Sequence, residues 1–224
     1  MKSKELIIYH GSVSIIEKPQ YGLGKPYNDY GLGFYCTENL ELAKEWASSD
    51  SEKSGFANRY EIDLSGLKVL DLTDKEYSIL NWMAVLVNHR TFNLNSDISI
   101  KAKEFLTKRY LVDVSQYDVV IGYRADDSYF RFARDFLNNT ISVEKLSRAM
   151  ELGELGKQIV LISKKAFDAL RYIESVPAEK QIYYVKRVER DRQARAAYNT
   201  VTRASSVDGE YINDIMRREE KDAN

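Results

Sequence analysis

Along the chain the apolar and polar positions change period several times, and each change marks a candidate element. Leu6-Ile7-Ile8-Tyr9 is a short apolar run rich in β-branched and aromatic residues, which predicts a strand ended by His10-Gly11-Ser12. Val13 to Pro19 reads as an extended segment or turn. Tyr21 to Tyr30 carries Gly22, Gly24, Pro26, Asn28 and Asp29, the composition of a loop with special backbone angles. Gly33-Phe34-Tyr35-Cys36 predicts a second strand. Thr37 or Asn39 can then cap a helix on which Leu40, Ala43, Trp46 and Ala47 recur at helical spacing. From Asn58 to Leu64 the period drops to two, with Tyr60, Ile62 and Leu64 set against Arg59, Glu61 and Asp63, as in a half-buried strand. Lys68 to Leu72 predicts another strand after the Ser65-Gly66 break.

From Asp74 the period becomes helical. Tyr77, Leu80, Trp82, Met83, Leu86 and Val87 form one amphipathic run, with Thr73 or Asp74 as its cap, and Ile98 to Tyr110 forms a second. Tyr117 to Tyr123 predicts a strand ending in the polar cluster Arg124 to Ser128. Helices are expected at Phe130–Leu137 and Val143–Met150, a strand at Gln158–Ile162, and a short helix or strand-to-helix transition at Lys164–Ile173. Ile182 to Val185 fits a strand or the start of a long helix, Arg187 to Arg203 is helical in composition, and Glu219 to Asn224 is expected to fray. Strands fall toward both ends with helices between them and no regular βαβ alternation. That order predicts an α+β fold rather than a doubly wound sheet.

Composition narrows the function classes. The 224 residues suffice for one large domain or a domain with an insertion. A net charge of −1 supplies no global field toward nucleic acid or membrane. The single cysteine, Cys36, excludes an internal disulfide and a thiolate zinc site, and suits a reducing cytoplasm. Four apolar residues after Met1–Glu5 are too few for a signal-peptide core. No apolar run approaches the roughly 20 residues of a membrane span. A cytoplasmic protein without membrane association is the expectation, and two distant histidines offer no metal constellation.

The special residues concentrate early: one of the two histidines, five of eleven glycines and one of two tryptophans lie between Ile8 and Trp46. An imidazole at His10 can hydrogen-bond a sugar hydroxyl, and Gly11 can let a ligand approach the backbone. A histidine at a strand end also serves purely structural ends. Tyr35 and Trp46 can hold a flat heteroaromatic ring between them, or can both be core. Arg124 can meet phosphate oxygens with two donors, and Asp126 or Asp127 can orient an acceptor or act as a base. The same carboxylates can equally cap the helix before Phe130. His89 beside Arg90 suits a helix C-terminus. Lys186, Arg187, Arg190, Arg192, Arg195 and Arg203 outnumber Glu189 and Asp191, which fits either an RNA or acidic-partner surface or a solvated helix packed on the domain. Neither Gly22-x-Gly24 nor Gly31-x-Gly33 opens a helix after a strand as a dinucleotide fingerprint requires.

His10-Gly11-Ser12, then Gly31-x-Gly33-Phe34-Tyr35-x-Thr37, then Ala43-x-x-Trp46, resembles the NAD-binding half of ADP-ribosyltransferases of the diphtheria-toxin and poly(ADP-ribose)-polymerase type. The Tyr-His-Gly-Ser start, Gly-x-Gly-Phe-Tyr and Ala125-Asp126-Asp127 are also similar to a bacterial family, domain of unknown function 3990, over about residues 1–175. The resemblance implies a split antiparallel β-sheet in a domain of residues 1–176, with a helical insertion at about 74–113. Residues 177–224 would be a helical extension, packed on the domain or binding a partner. It implies NAD as co-substrate, no metal, and transfer of ADP-ribose to a protein or nucleic-acid acceptor with nicotinamide release. It further implies a toxin or defence effector, with an antitoxin or immunity protein as partner.

In residue terms, His10 would bond the adenosine-side ribose, and the Gly11 backbone would pair with the nicotinamide carboxamide, helped by Ser12. Tyr35 and Trp46 would flank the ring, and Arg124 would meet the pyrophosphate. Gln158 takes the place of the class's catalytic Glu. It can orient a ribose hydroxyl but brings no negative charge. Glu154 is the alternative acid. An NAD glycohydrolase and an inactive NAD-sensing or protein-binding module are the competing functions.

Overall fold

The alternating segment read at Asn58–Leu64 becomes the central strand of a sheet. In the computed structural model, which describes residues 5–49, 53–125, 127–152, 157–203 and 209–222, β1 (Glu5–Ser12) and β7 (Leu170–Ala178) flank β3 (Gly55–Asp63), both antiparallel to it. A second sheet has the order β2 (Phe34–Cys36), β6 (Lys157–Leu161), β5 (Val119–Tyr123), β4 (Val69–Asp71). Eight α-helices accompany the strands among the described residues, so the chain is an α+β protein. The sheets touch at one antiparallel bridge, where Tyr9 N–H donates to Thr37 O (2.7 Å) and Thr37 N–H to Tyr9 O (2.9 Å). Ile8, Phe34, Cys36, Tyr60, Ile62, Val119, Ile159 and Leu161 fill the space between them. A larger helical core centres on Trp82, Met83, Leu86, Leu106, Phe132 and Phe136.

Several expectations are corrected. The first strand does not stop before His10; it continues through Ser12, paired with Phe56, so the His-Gly-Ser lies within β1. β4 and β5 run parallel rather than antiparallel. Helices α2 (Ile79–His89) and α3 (Asp97–Arg109) lie between them and supply the long crossover a parallel pair needs. Helix α2 starts at Ile79 rather than near Asp74. Thr73 is bound to Asp71 Oδ1 in a turn, while Asn81 Oδ1 accepts the Ser78 N–H at 2.8 Å. The helix read over Lys164–Ile173 ends at Asp168 (α6), and Leu170 opens β7, an edge strand that tolerates Pro177. Ile182–Val185 is helical, inside α7 (Lys180–Arg203). The tail expected to fray is ordered as far as Asp222 in α8 (Ile212–Asp222), where Glu219 accepts from the Tyr110 hydroxyl.

Helix α1 (Leu40–Ala47) packs across β1 and β3. Asn39 caps it by accepting from Leu42 N–H at 3.1 Å. Helices α4 (Asp127–Leu137) and α5 (Val143–Leu152) pack together, and α7 lies against α1, α4 and α5.

Candidate functional site

β1 and β2 diverge just beyond the Tyr9–Thr37 bridge, and the divergence makes the site. Tyr9 directs both backbone groups at Thr37. Strand alternation therefore sends the N–H and C=O of Gly11 to the same side, away from β3 and toward the gap. The His10 ring sits in that gap and stacks on Phe34 with centroids 4.2 Å apart. Its Nδ1 lies 2.7 Å from Tyr35 O. A carbonyl only accepts, so Nδ1 carries the proton and Nε2 is left as an acceptor. Burial holds the His10 pKa below its ordinary value, against the opposing pull of the Tyr35 carbonyl, so the ring is neutral at pH 7.

Gly11 has a packing reason of its own. A Cβ there would lie 2.1 Å from Ala43 O, 2.7 Å from Ala47 N and 2.8 Å from Trp46 Cβ. The face freed by glycine is thus filled by α1, and a ligand would reach Gly11 along its backbone edge. Tyr35 is fixed by its hydroxyl, which accepts from Tyr30 N–H (3.1 Å) and donates to Gly31 O (2.6 Å). Burial raises its pKa well beyond the normal phenol value. It therefore stays protonated and offers a ring surface rather than a base.

His10, Gly11, Ser12, Tyr35, Trp46, Arg124 and Gln158 all line one open cleft of ≈ 1030 Å³. That is the upper end of the range for small-molecule sites, about 300–1,000 Å³. Gln158, opposite Gly122 across β5 and β6, is 6% exposed, and its buried Oε1 has no hydrogen-bond partner among the described residues. An amide end left unpaired in a cleft is costly unless a ligand or water meets it. The Arg124 guanidinium lies 4.2 Å over the Trp46 ring. One face of Trp46 is therefore taken by a cation, and a stacked ligand has the other face or must displace Arg124. Asp126 and Glu154 lie outside the described residues, as does the side chain of Asp127, whose backbone opens α4. His89 faces away from this cleft, in a neighbouring cavity, and packs on Gly31.

Four contributors were not legible as site residues. Asn58, fully buried on β3, organises the cleft mouth: its Nδ2 donates to His10 O (3.1 Å), Ser12 Oγ (2.8 Å) and Ser14 O (3.4 Å). Its Oδ1 accepts from Ile16 N–H (3.0 Å) and Ser175 Oγ (2.8 Å). The available signal was an asparagine on the apolar side of an alternating strand. Asp29 and Arg90 form an ion pair (3.5 Å) in the cleft, and Asp29 Oδ2 accepts from Ala125 N–H at 2.9 Å. The fourth is Arg187, whose guanidinium donates to Ser49 O (3.0 Å) on the cleft wall. Around α7, Lys186 is bound to Glu41, Arg190 to Glu45, Arg192 to Glu189 and Arg195 to Asp191. The local basic excess read as a possible RNA surface is thus largely matched within the chain. Among the described residues that line the cleft, Lys18, Lys25, Arg90, Arg124 and Arg187 face one carboxylate, Asp29. No group of three or more His, Cys, Asp or Glu side chains among the described residues could hold a metal ion, and no described helix is long and apolar enough to cross a membrane.

The sequence model of the family described as "Protein of unknown function (DUF3990)" matches residues 6–172. The chain belongs to this family. The matched DUF3990 region runs from β1 into β7 and contains His10, Gly11, Tyr35, Trp46, Arg124 and Gln158, while α7 and α8 lie beyond it. No curated protein and no solved structure matches the chain.

Proposed function

We propose that the protein is an NAD-dependent ADP-ribosyltransferase acting on a macromolecular acceptor. The observation that carries this reading is the convergence of the open backbone edge of Gly11 with Gln158 in one cationic cleft. These groups match, position by position, the residues that the resemblance assigns to NAD. The dinucleotide is anionic and carries one carboxamide and two riboses. In this reading the carboxamide pairs with Gly11, and the neutral His10 accepts from a ribose hydroxyl through Nε2. Tyr35 presents its ring to nicotinamide. The Gln158 amide orients the nicotinamide ribose. The bond from ribose C1′ to the nicotinamide nitrogen breaks with its electron pair leaving on nicotinamide. An acceptor oxygen or nitrogen then bonds C1′ and loses its proton. The chain's contribution at C1′ is positioning rather than negative charge, because Gln158 is neutral.

The test is incubation of the full chain with NAD labelled in the adenosine part, in a bacterial lysate and alone. The expected result is label on protein or RNA in the lysate, with nicotinamide release that depends on His10 and Gln158. Equally rapid nicotinamide release without lysate makes the protein an NAD glycohydrolase. Calorimetry that detects NAD binding without turnover makes it a sensor, and no binding at all refutes the reading.

A further inference from the structure

Helix α7 lies outside the region that matches the family, yet it is built into the wall of the cleft. Its first turn is held by Ser54 Oγ, which accepts from Lys180 N–H at 3.2 Å. One turn on, the Tyr183 hydroxyl donates to Glu41 and accepts from Lys44, both at 3.1 Å. Arg190 makes a two-pronged pair with Glu45, Nε to Oε2 at 2.7 Å and a terminal nitrogen to Oε1 at 2.8 Å. Glu45 is 2% exposed, so the carboxylate end of this pair is buried while Arg190 stays partly exposed. Farther along, Tyr198 stacks on Phe132 at 3.9 Å and donates to Asp135. Between the Tyr183 and Arg190 anchors sits Arg187.

Arg187 reaches the cleft at the end of α1, where it donates to Ser49 O. It lines the main cleft together with Trp46, Ser49 and Arg124. The same four residues also line an adjoining cavity of ≈ 200 Å³ between α1 and α7. Two guanidiniums from distant parts of the chain are thus brought to one wall beside an indole ring. A guanidinium has five donors in a planar fork, so contacts within the chain and a bond to an anion are compatible. Among the described residues that line the main cleft, cations outnumber carboxylates, which favours the same kind of ligand.

We infer that α7 completes the ligand site, with Arg187 and Arg124 forming a subsite for a phosphate or diphosphate group at the Trp46 end of the cleft. The anion specificity stands independently; naming NAD as its bearer rests on the function proposed above. Residues 180–203 are then part of the binding machinery rather than an appendage.

The test uses calorimetry on the full chain with inorganic pyrophosphate, NAD and free nicotinamide, for the wild type, Arg187→Gln and Arg187→Lys, with thermal melting to check folding. Loss of one charge-assisted contact weakens pyrophosphate and NAD about tenfold in Arg187→Gln and less in Arg187→Lys, with nicotinamide affinity unchanged. The wild-type affinity for both anions also falls with salt, more steeply than that of Arg187→Gln. If Arg187→Gln does not fold, the Lys variant carries the test, with a threefold or so weakening expected because one donor cannot replace a fork. Variants that bind both anions like the wild type overturn the inference and leave NAD binding intact. Pyrophosphate binding that depends on Arg187, without NAD binding, upholds the inference and sinks the NAD reading. Binding of neither anion sinks both.

Discussion

Replacing Asn58 with alanine removes a side chain that holds the cleft mouth from both ends of its amide. Its two amide hydrogens serve His10 O, Ser12 Oγ and, at 3.4 Å, Ser14 O, while Oδ1 accepts from Ile16 N–H and Ser175 Oγ. Four of these bonds are at 3.1 Å or less. At a net ~1 kcal/mol each, and with the exposed rim around Ser14 free to rehydrate, Asn58→Ala costs about 2–4 kcal/mol. In a chain of this size that lowers Tm by roughly 5–15 °C. Asn58→Asp separates hydrogen bonding from size. A carboxylate there would face three acceptors in a fully buried position, so its folded pKa is raised above the unfolded value of about 3.9. The sign follows from proton linkage. The folded state binds the proton more tightly, so stability is best below the unfolded pKa and is lost as pH rises through the folded pKa. Urea unfolding followed by tryptophan fluorescence at pH 5 and pH 8 gives the comparison. Asn58→Asp is expected to be far less stable relative to Asn58→Ala at pH 8 than at pH 5. An Asn58→Ala cost under about 0.5 kcal/mol, or an Asn58→Asp penalty that does not grow with pH, would refute the role assigned to this side chain.

Further outcomes follow from the same geometry. Gly11→Ala drives a methyl into the α1 backbone at Ala43 and Ala47, costs at least about 1–3 kcal/mol, and displaces Trp46, which fluorescence will report. Glu45→Ala strips the carboxylate from Arg190, whose side chain is 28% exposed, so about 2–3 kcal/mol is lost rather than the 3–5 of a fully buried pair. For His10, burial lowers the folded pKa below 6.5. The unfolded state then takes up protons first, and stability present above pH 6.5 is lost as pH falls toward the folded pKa. Urea midpoints from pH 8 to pH 5 are expected to fall less in His10→Gln than in the wild type. If the proposed function holds, Gln158→Glu supplies negative charge at the catalytic position and is expected to raise nicotinamide release by roughly tenfold or more, measured as free nicotinamide. An unchanged rate would remove Gln158 from the catalytic position.

Much of the architecture was written in local patterns. The alternation of Tyr60, Ile62 and Leu64 marked β3, and the helical spacing of Leu40, Ala43 and Ala47 marked α1, because burial on one face imposes a period on any single element. Punctuation was less secure. Thr73 could cap a helix as well as Ser78 in isolation, and only its bonds to Asp71 show that it closes a turn. The strand at Leu170–Ala178 was hidden because its partner, β3, lies far away in sequence. The same limit applies to the cleft. His10, Gly11, Tyr35 and Trp46 drew notice as unusual residues in one stretch, yet Asn58, Asp29, Arg90 and Arg187 are ordinary until folding brings them to it.

A residue's own neighbours in sequence report which side of it is buried, and that much was determined locally: the apolar run that leads into His10 and Gly11, the helix that carries Trp46, the apolar run behind Gln158. Tertiary structure decided what each of them does. It gave His10 its proton on Nδ1 through the Tyr35 carbonyl, filled the missing Cβ of Gly11 with α1, laid Arg124 on Trp46, and set α7 against the cleft wall. Hydrogen-bond direction, close packing and charge pairing act between atoms near in space, whatever their separation along the chain.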